Sequence, residues 1–181
     1  VPSRYRVVLG WAAGLLVFLL ARPSSRSMLL ALGPVALGEA IRLWASGHIE
    51  KTQRLATGGP YAFTRNPLYL GSALIALGVA LAGSSVLASL VIAGYVAAFY
   101  PSVMKEESAF LRAKFTGEYE AWAAEVPAFL PRLSPGGPRE TRFSWERVAR
   151  NREWRTVLAL PLAAGLLLAR RLLPLWCGIA P

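Results

Sequence analysis

Apolar residues along this chain fall in long runs separated by short polar breaks, instead of alternating or tracing narrow stripes. Five runs stand out, at roughly 5–21, 27–45, 68–82, 85–103 and 154–176. A helix needs about 20 apolar residues to cross the hydrocarbon core of a bilayer, so the pattern predicts an all-α, polytopic membrane protein with about five transmembrane helices. It reads as one integral-membrane domain over residues 1–181, with a transmembrane core at about 5–103, an aqueous region at about 104–153 and a last transmembrane or interfacial helix. The break Arg22-Pro23-Ser24-Ser25-Arg26 divides the first two runs, since a single helix does not tolerate that charge and proline. Only Gly83-Ser84 joins the third and fourth, which predicts a tight antiparallel hairpin. Gly71, Gly78 and Gly94 are small enough for helices to approach closely. Arg170-Arg171 interrupt the last run and are placed to snorkel toward an interface. Arg4 and Arg6 before the first run also suit a signal peptide, but no small-residue cleavage pattern follows, so the run is read as a retained helix.

The aqueous stretch has a different rhythm. Between Lys105 and Val126 the residues Phe110, Leu111, Phe115, Tyr119, Trp122 and Val126 recur every three or four positions, one face of an amphipathic helix with a bend expected at Thr116-Gly117. Pro127, Pro131, Pro135 and Pro138 with Gly136-Gly137 then predict a non-helical crossing. Residues 143–154 resume as a basic amphipathic stretch suited to an anionic lipid surface. With the N-terminus cytoplasmic, Arg4, Arg6, Lys51, Arg54, Arg65 and the whole 105–155 region share one side, leaving Arg22, Arg26, Arg170 and Arg171 opposite.

Composition narrows the functional classes. The chain has 181 residues, 55% of them hydrophobic, and a formal charge of +10. Nucleic-acid binding is the usual rival for so basic a chain, but here the arginines flank apolar runs and form no continuous stripe. There is no aspartate, one histidine (His48) and one cysteine (Cys177), so a Ser-His-Asp triad and a Cys/His zinc site lack their parts. Cys177, beside Trp176 in an apolar run, reads as inert packing, and His48 as an interfacial residue.

The densest chemistry lies in Gly59-Pro60-Tyr61-Ala62-Phe63-Thr64-Arg65-Asn66-Pro67-Leu68-Tyr69-Leu70-Gly71, a loop whose glycines and prolines suit a fixed backbone wrapped around a small molecule. Leu55-Ala56-Thr57-Gly58-Gly59-Pro60-Tyr61, then Arg65-Asn66-Pro67-Leu68-Tyr69-Leu70-Gly71, then Glu106-Glu107 with Leu111, Phe115, Tyr119, Val126-Pro127 and Pro131 resembles the signature of the isoprenylcysteine carboxyl methyltransferase and phospholipid methyltransferase superfamily. The ordered match covers about residues 42–131.

That resemblance implies S-adenosyl-L-methionine as methyl donor, bound at the cytoplasmic end of the helices under the 104–153 cap, and a lipid-like or prenylated acceptor entering from the membrane lipids. It assigns Glu107, eight residues before Phe115, to the donor's ammonium, with Glu106 as the alternative. Tyr61 and Tyr69 match the family's cofactor-contacting tyrosines, or else are interfacial belt aromatics. Leu55, Gly59, Asn66, Pro67, Leu68 and upstream Glu50 complete the implied donor site. Arg65 either anchors the chain at the interface or orders anionic ligand groups. Glu39 and Arg42, three apart in the second run, either line the acceptor pocket or form a structural ion pair.

Two positions depart from the family pattern. Asn66 replaces a frequent histidine and cannot titrate, and Val103 stands where eukaryotic prenylcysteine enzymes carry an arginine for the substrate carboxylate. Methylation of an isoprenylcysteine carboxylate is therefore weighed against N-methylation of a phospholipid amine. An NADPH-dependent sterol-type membrane reductase and a non-catalytic membrane scaffold are the readings from other classes. Methyl transfer from a sulfonium is a direct displacement, so the missing nucleophile is no objection.

Overall fold

A computed structural model describes residues 3–50, 53–137 and 141–172. The expectations for Lys51, Pro138, Trp176 and Cys177, and for the side chain of Arg4, lie outside the described residues. Within them the fold is all-α, in the order α1 (Ser3–Leu20), α2 (Ser25–Ser46), a short 3-10 turn (Gly59–Ala62), α3 (Pro67–Gly83), α4 (Val86–Lys114), α5 (Glu118–Glu125), α6 (Trp145–Arg150) and α7 (Trp154–Leu172).

Local chemistry sets these boundaries. Ser24 caps α2 by accepting from the Ser27 N–H at 3.0 Å, and Ser27 Oγ accepts in return from the Ser24 N–H at 2.9 Å, a capping box that satisfies two orphan donors. Ser27 Oγ also donates to the Ala82 carbonyl at 3.1 Å, tying the start of α2 to the end of α3. The expected hairpin forms at Ser84, in the left-handed region at φ 46°, and Ser85 caps α4.

The extensive packing of α3, however, is against α2. A methyl group on Gly38 would meet the Gly71 carbonyl at 2.5 Å, and one on Gly78 would meet Val35 Cγ2 at 2.4 Å. Two of the three glycines expected at helix contacts thus act there, since only hydrogen fits where the backbones nearly touch. Gly94 does not: a methyl group there would meet nothing within 4 Å.

The described helices meet the five-span expectation only in part. α2 and α4 are long and apolar enough to cross a membrane, whereas Tyr5–Leu20 and Pro67–Gly83 are apolar but shorter. Seventeen residues of α3 reach about 26 Å at 1.5 Å per residue, just under a hydrocarbon core of about 30 Å. Large apolar side chains face outward along α1 and α2, among them Val7, Val8, Trp11, Leu29, Leu30 and Leu32. α7 starts beside Arg42 near the end of α2, through Glu153, and ends with Arg170 donating to the Leu19 carbonyl at the end of α1.

The aqueous region also departs from expectation. The stretch predicted as one amphipathic helix from 105 to 126 is instead the end of α4, a break, and α5. α4 continues unbroken from Val86 to Lys114, carrying Glu106 and Glu107 on its last turns. Gly117, at φ 85°, makes the turn into α5. Tyr119, Trp122 and Val126 then point inward, each about 1% exposed, and form the core with Ala45, Leu55 and Tyr61.

Candidate functional site

The Gly-Pro loop is held by the cap that crosses over it. Backbone groups that no helix satisfies must find partners elsewhere, and residues 62–66 find theirs in the proline-rich crossing. The Arg65 N–H donates to the Pro127 carbonyl at 2.9 Å, the Arg132 N–H to the Phe63 carbonyl at 3.0 Å, and the Gly136 N–H to the Ala62 carbonyl at 2.8 Å. Thr64 Oγ1 donates to the Phe129 carbonyl at 2.8 Å and Asn66 Nδ2 to the Ala128 carbonyl at 2.7 Å. Trp122 Nε1 closes the other side by donating to the Tyr61 carbonyl at 3.1 Å. Loop and cap form one hydrogen-bonded unit at the ends of α2, α3 and α4.

Between them opens a cleft of about 510 Å³, mouth included. Leu55, Tyr61, Arg65, Asn66 and Glu107 line it, bringing five of the sequence-predicted residues together from positions more than 50 residues apart. Ile49, Ala56, Ser108, Leu111, Tyr119 and Trp122 complete the wall. The last three were legible as members of an apolar helical face, and Leu111 and Tyr119 also as part of the family signature. Their role as cleft wall depends on the bend at Gly117, which turns that face back over the loop.

Polarity in the cleft is arranged in opposition. Glu107 stands beside the Tyr69 hydroxyl and is coupled to it electrostatically. Opposite in charge, Arg65 donates through Nη1 to the Tyr119 hydroxyl at 3.2 Å, while its Nε is buried without a hydrogen-bond partner. A buried guanidinium N–H left unpaired is costly, and it marks a place for an acceptor. Burial, reinforced by the negative field of Glu107, raises the Tyr61 phenol well above its ordinary range and keeps it neutral. A zwitterionic amino-acid moiety fits this set: Glu107 suits an ammonium and the Arg65 Nε suits a carboxylate.

Other predicted residues lie elsewhere. Consecutive helical positions diverge by about 100°, so Glu106 faces away from the cleft and pairs with Arg6 of α1 at 3.1 Å. Glu50 pairs with Arg147 of α6 and lines a different cleft. Gly59 turns the backbone at φ 58° against the ring of His48, whose nitrogens leave no room for a side chain. His48 is buried, 4% exposed, with Nδ1 2.9 Å from the Trp44 carbonyl and its ring packed on Trp44 and Phe143. Pro67 is buried at the first turn of α3, and Leu68 packs on the core beneath the cleft.

Glu39 and Arg42 do not pair with each other. Arg42 bonds Glu153 through Nε at 2.7 Å and Nη2 at 2.6 Å, Ser72 Oγ at 2.5 Å and Thr156 Oγ1 at 3.2 Å. Both carboxylate oxygens of Glu39 are buried without a hydrogen-bond partner. Among the described residues no cluster of three or more His, Cys, Asp or Glu is placed to hold a metal ion.

Comparison with known proteins matches residues 10–118 to the phospholipid methyltransferase family. The chain is 39% identical over 111 residues to the cobalt-zinc-cadmium resistance protein CzcN of Cupriavidus metallidurans, covering 59% of this chain and 51% of that protein. It is 33% identical over 102 residues to the nickel-cobalt-cadmium resistance protein NccN of Alcaligenes xylosoxydans xylosoxydans, covering 55% and 47%. Over 113 residues it is 29% identical to the protein-S-isoprenylcysteine O-methyltransferase of Schizosaccharomyces pombe, covering 56% and 48%. The chain thus spans about half the length of the curated relatives it matches. No solved structure matches it.

Proposed function

The chain belongs to the phospholipid methyltransferase family, and from that premise we propose that it is an integral-membrane methyltransferase that uses S-adenosylmethionine to methylate an amphipathic or prenylated acceptor in the bilayer. The observation that carries this reading is the convergence of Glu107, Arg65 with its unpartnered Nε, Tyr61 and Asn66 in one cleft under the cap. When bound, the donor supplies a methyl group on a sulfonium, open to direct displacement. Glu107, beside the Tyr69 hydroxyl, would hold the ammonium, and Arg65, steadied by Tyr119, the carboxylate. Leu55, Ile49, Leu111 and Trp122 supply apolar walls that exclude water, and the neutral Tyr61 adds a hydroxyl without a charge. Asn66 contributes indirectly, by fastening the loop to Ala128.

In this reading α1, α2, α3, α4 and α7 all cross the membrane, with the short α1 and α3 packed against longer neighbours. The N-terminus and the cleft lie on the cytoplasmic side, where the arginine-rich segments gather. Catalysis then consists of aligning acceptor and methyl and keeping water out. One observation favours an amine over a carboxylate acceptor: Arg42 is already committed to Glu153, Ser72 and Thr156, and the nearby Glu39 carboxylate has no partner. Incubating the purified full chain with methyl-labelled donor and membrane lipids tests both levels. Label in a lipid-extractable product is expected, with a base-stable N-methyl product from an amine and a base-labile ester from a carboxylate. Absence of labelled lipid from any acceptor class would overturn the reading.

A further inference from the structure

A second cleft, of about 390 Å³ with the open solvent at its mouth included, lies beside the first and shares Ile49 with it; Glu50, Gln53, Arg150 and Asn151 complete its lining. It sits where α2 ends and α7 begins, the level at which the proposed spans leave the bilayer. Asn151 pins its floor by donating through Nδ2 to the Ser46 carbonyl at 2.9 Å and the Ile49 carbonyl at 3.1 Å. Arg147 holds Glu50, the acidic group inside the cleft, and also donates to the carbonyls of Arg142 and Gly47. Arg150, at the rim, has about two thirds of its side chain exposed and pairs with the still more exposed Glu146.

Residues 142–155 carry five arginines against two glutamates, and one of those, Glu153, is neutralised by Arg42. The same stretch carries large aromatic side chains at its surface. Trp145 is 70% and Trp154 51% exposed, with Arg155 over the Trp154 ring and Phe143 against Trp145. Tryptophan and arginine together at the end of an apolar helix are the composition of a headgroup layer.

We infer that this second cleft is a binding site for the phosphate headgroup of an anionic membrane phospholipid, taken by Arg150 at the mouth, with Trp145 and Trp154 beside the glycerol and upper acyl region. The guanidinium of Arg150 presents donors in the planar fork that suits phosphate, and its exposed partner Glu146 is easily exchanged. Glu50 does not oppose the ligand as a free charge, because Arg147 neutralises it. The inference rests on the membrane reading of α2 and α7 and is independent of donor chemistry.

Native mass spectrometry of the full chain, released from mixed micelles of equimolar phosphatidylglycerol and phosphatidylcholine, tests it. Phosphatidylglycerol is expected to be retained preferentially. R150Q should lower that preference by about five-fold, the weight of one interfacial arginine, with R150K restoring only the part that charge supplies without the guanidinium fork. R26Q, an exposed arginine at the opposite end of α2, should leave it unchanged. Inorganic phosphate at millimolar concentration is expected to leave the retained lipid in place. Equal retention of the two lipids, an R150Q protein with unaltered preference, or full displacement by free phosphate would each overturn the assignment. Separate calorimetry with S-adenosylmethionine keeps the outcomes apart: lipid preference without donor binding would refute the proposed function and leave this site standing.

Discussion

Replacing Glu153 by glutamine removes the carboxylate that holds Arg42 at the junction of α2, α3 and α7. Side-chain exposures of 19% for Arg42 and 7% for Glu153 make this a largely buried pair. Losing one partner of such a pair costs about 3–5 kcal/mol when nothing replaces the charge. Here something can: Glu39 lies one turn before Arg42 on the same helix, feels the charges of both Arg42 and Glu153, and has two buried oxygens without a partner. E153Q alone should therefore cost only about 1 kcal/mol, the scale of a hydrogen-bond rearrangement, as Glu39 takes over. E39Q alone should be neutral or slightly stabilising, since it removes a second buried carboxylate while Arg42–Glu153 stays intact.

The double variant has no such reserve and should lose the full 3–5 kcal/mol, roughly 6–20 °C in Tm at about 2–4 °C per kcal/mol for a chain of this size. Tryptophan-fluorescence melting of the four proteins in one detergent gives the cycle. Additive effects, or an E39Q protein less stable than E153Q, would refute the idea of Glu39 as a reserve counter-ion.

Three further outcomes follow from the site and the packing. Arg65→Lys keeps the charge but removes the unpartnered Nε, and should weaken S-adenosylmethionine binding about ten-fold or more by calorimetry, in line with about 1.5–3 kcal/mol for a charged hydrogen bond, with Tm nearly unchanged. Gly71→Ala forces a methyl group to within 2.6 Å of the Gly38 carbonyl oxygen and should cost about 1–3 kcal/mol, whereas Gly94→Ala should be neutral or stabilising in the same melt. Because the folded state raises the Tyr61 pKa above an unfolded value of about 10, its contribution to stability is complete below about pH 10 and is lost as pH rises beyond it. Tyr61→Phe should flatten the alkaline decline in Tm, and a decline identical to that of the parent protein would contradict the buried neutral phenol.

How far the sequence could be read depended on the range of the forces involved. The apolar runs were legible because burial in lipid or protein imposes continuous stretches, so α1 to α4 begin and end within a few residues of expectation, except where α4 runs on past 103. Hydropathy marks where lipid contact stops but not where a helix does, and nothing in Lys105–Lys114 ends one before Phe115 and Gly117. The resemblance brought Glu107 and the Gly-Pro loop to the same place, and the geometry puts them in one cleft. It put Glu107 ahead of Glu106, and a rotation of one residue sends Glu106 to Arg6 instead.

Long-range pairing was invisible to pattern. Glu50 meets Arg147, and Arg42 meets Glu153 across 111 residues, whereas spacing alone offered Arg42 the nearer Glu39. Tyr119 and Trp122 carried the right periodicity for burial, yet their place in the cleft wall depends on the positive-φ turn at Gly117.

Of the adjacent carboxylates, Glu107 faces the cleft and Glu106 does not, so only the first is placed to hold the donor's ammonium. Calorimetric titration of S-adenosylmethionine into the full chain, alongside E107Q and E106Q, tests it directly. Saturable binding to the parent protein is expected, with at least a ten-fold loss in E107Q and near-parental binding in E106Q. No binding to the parent protein, or equal losses in the two variants, would contradict it.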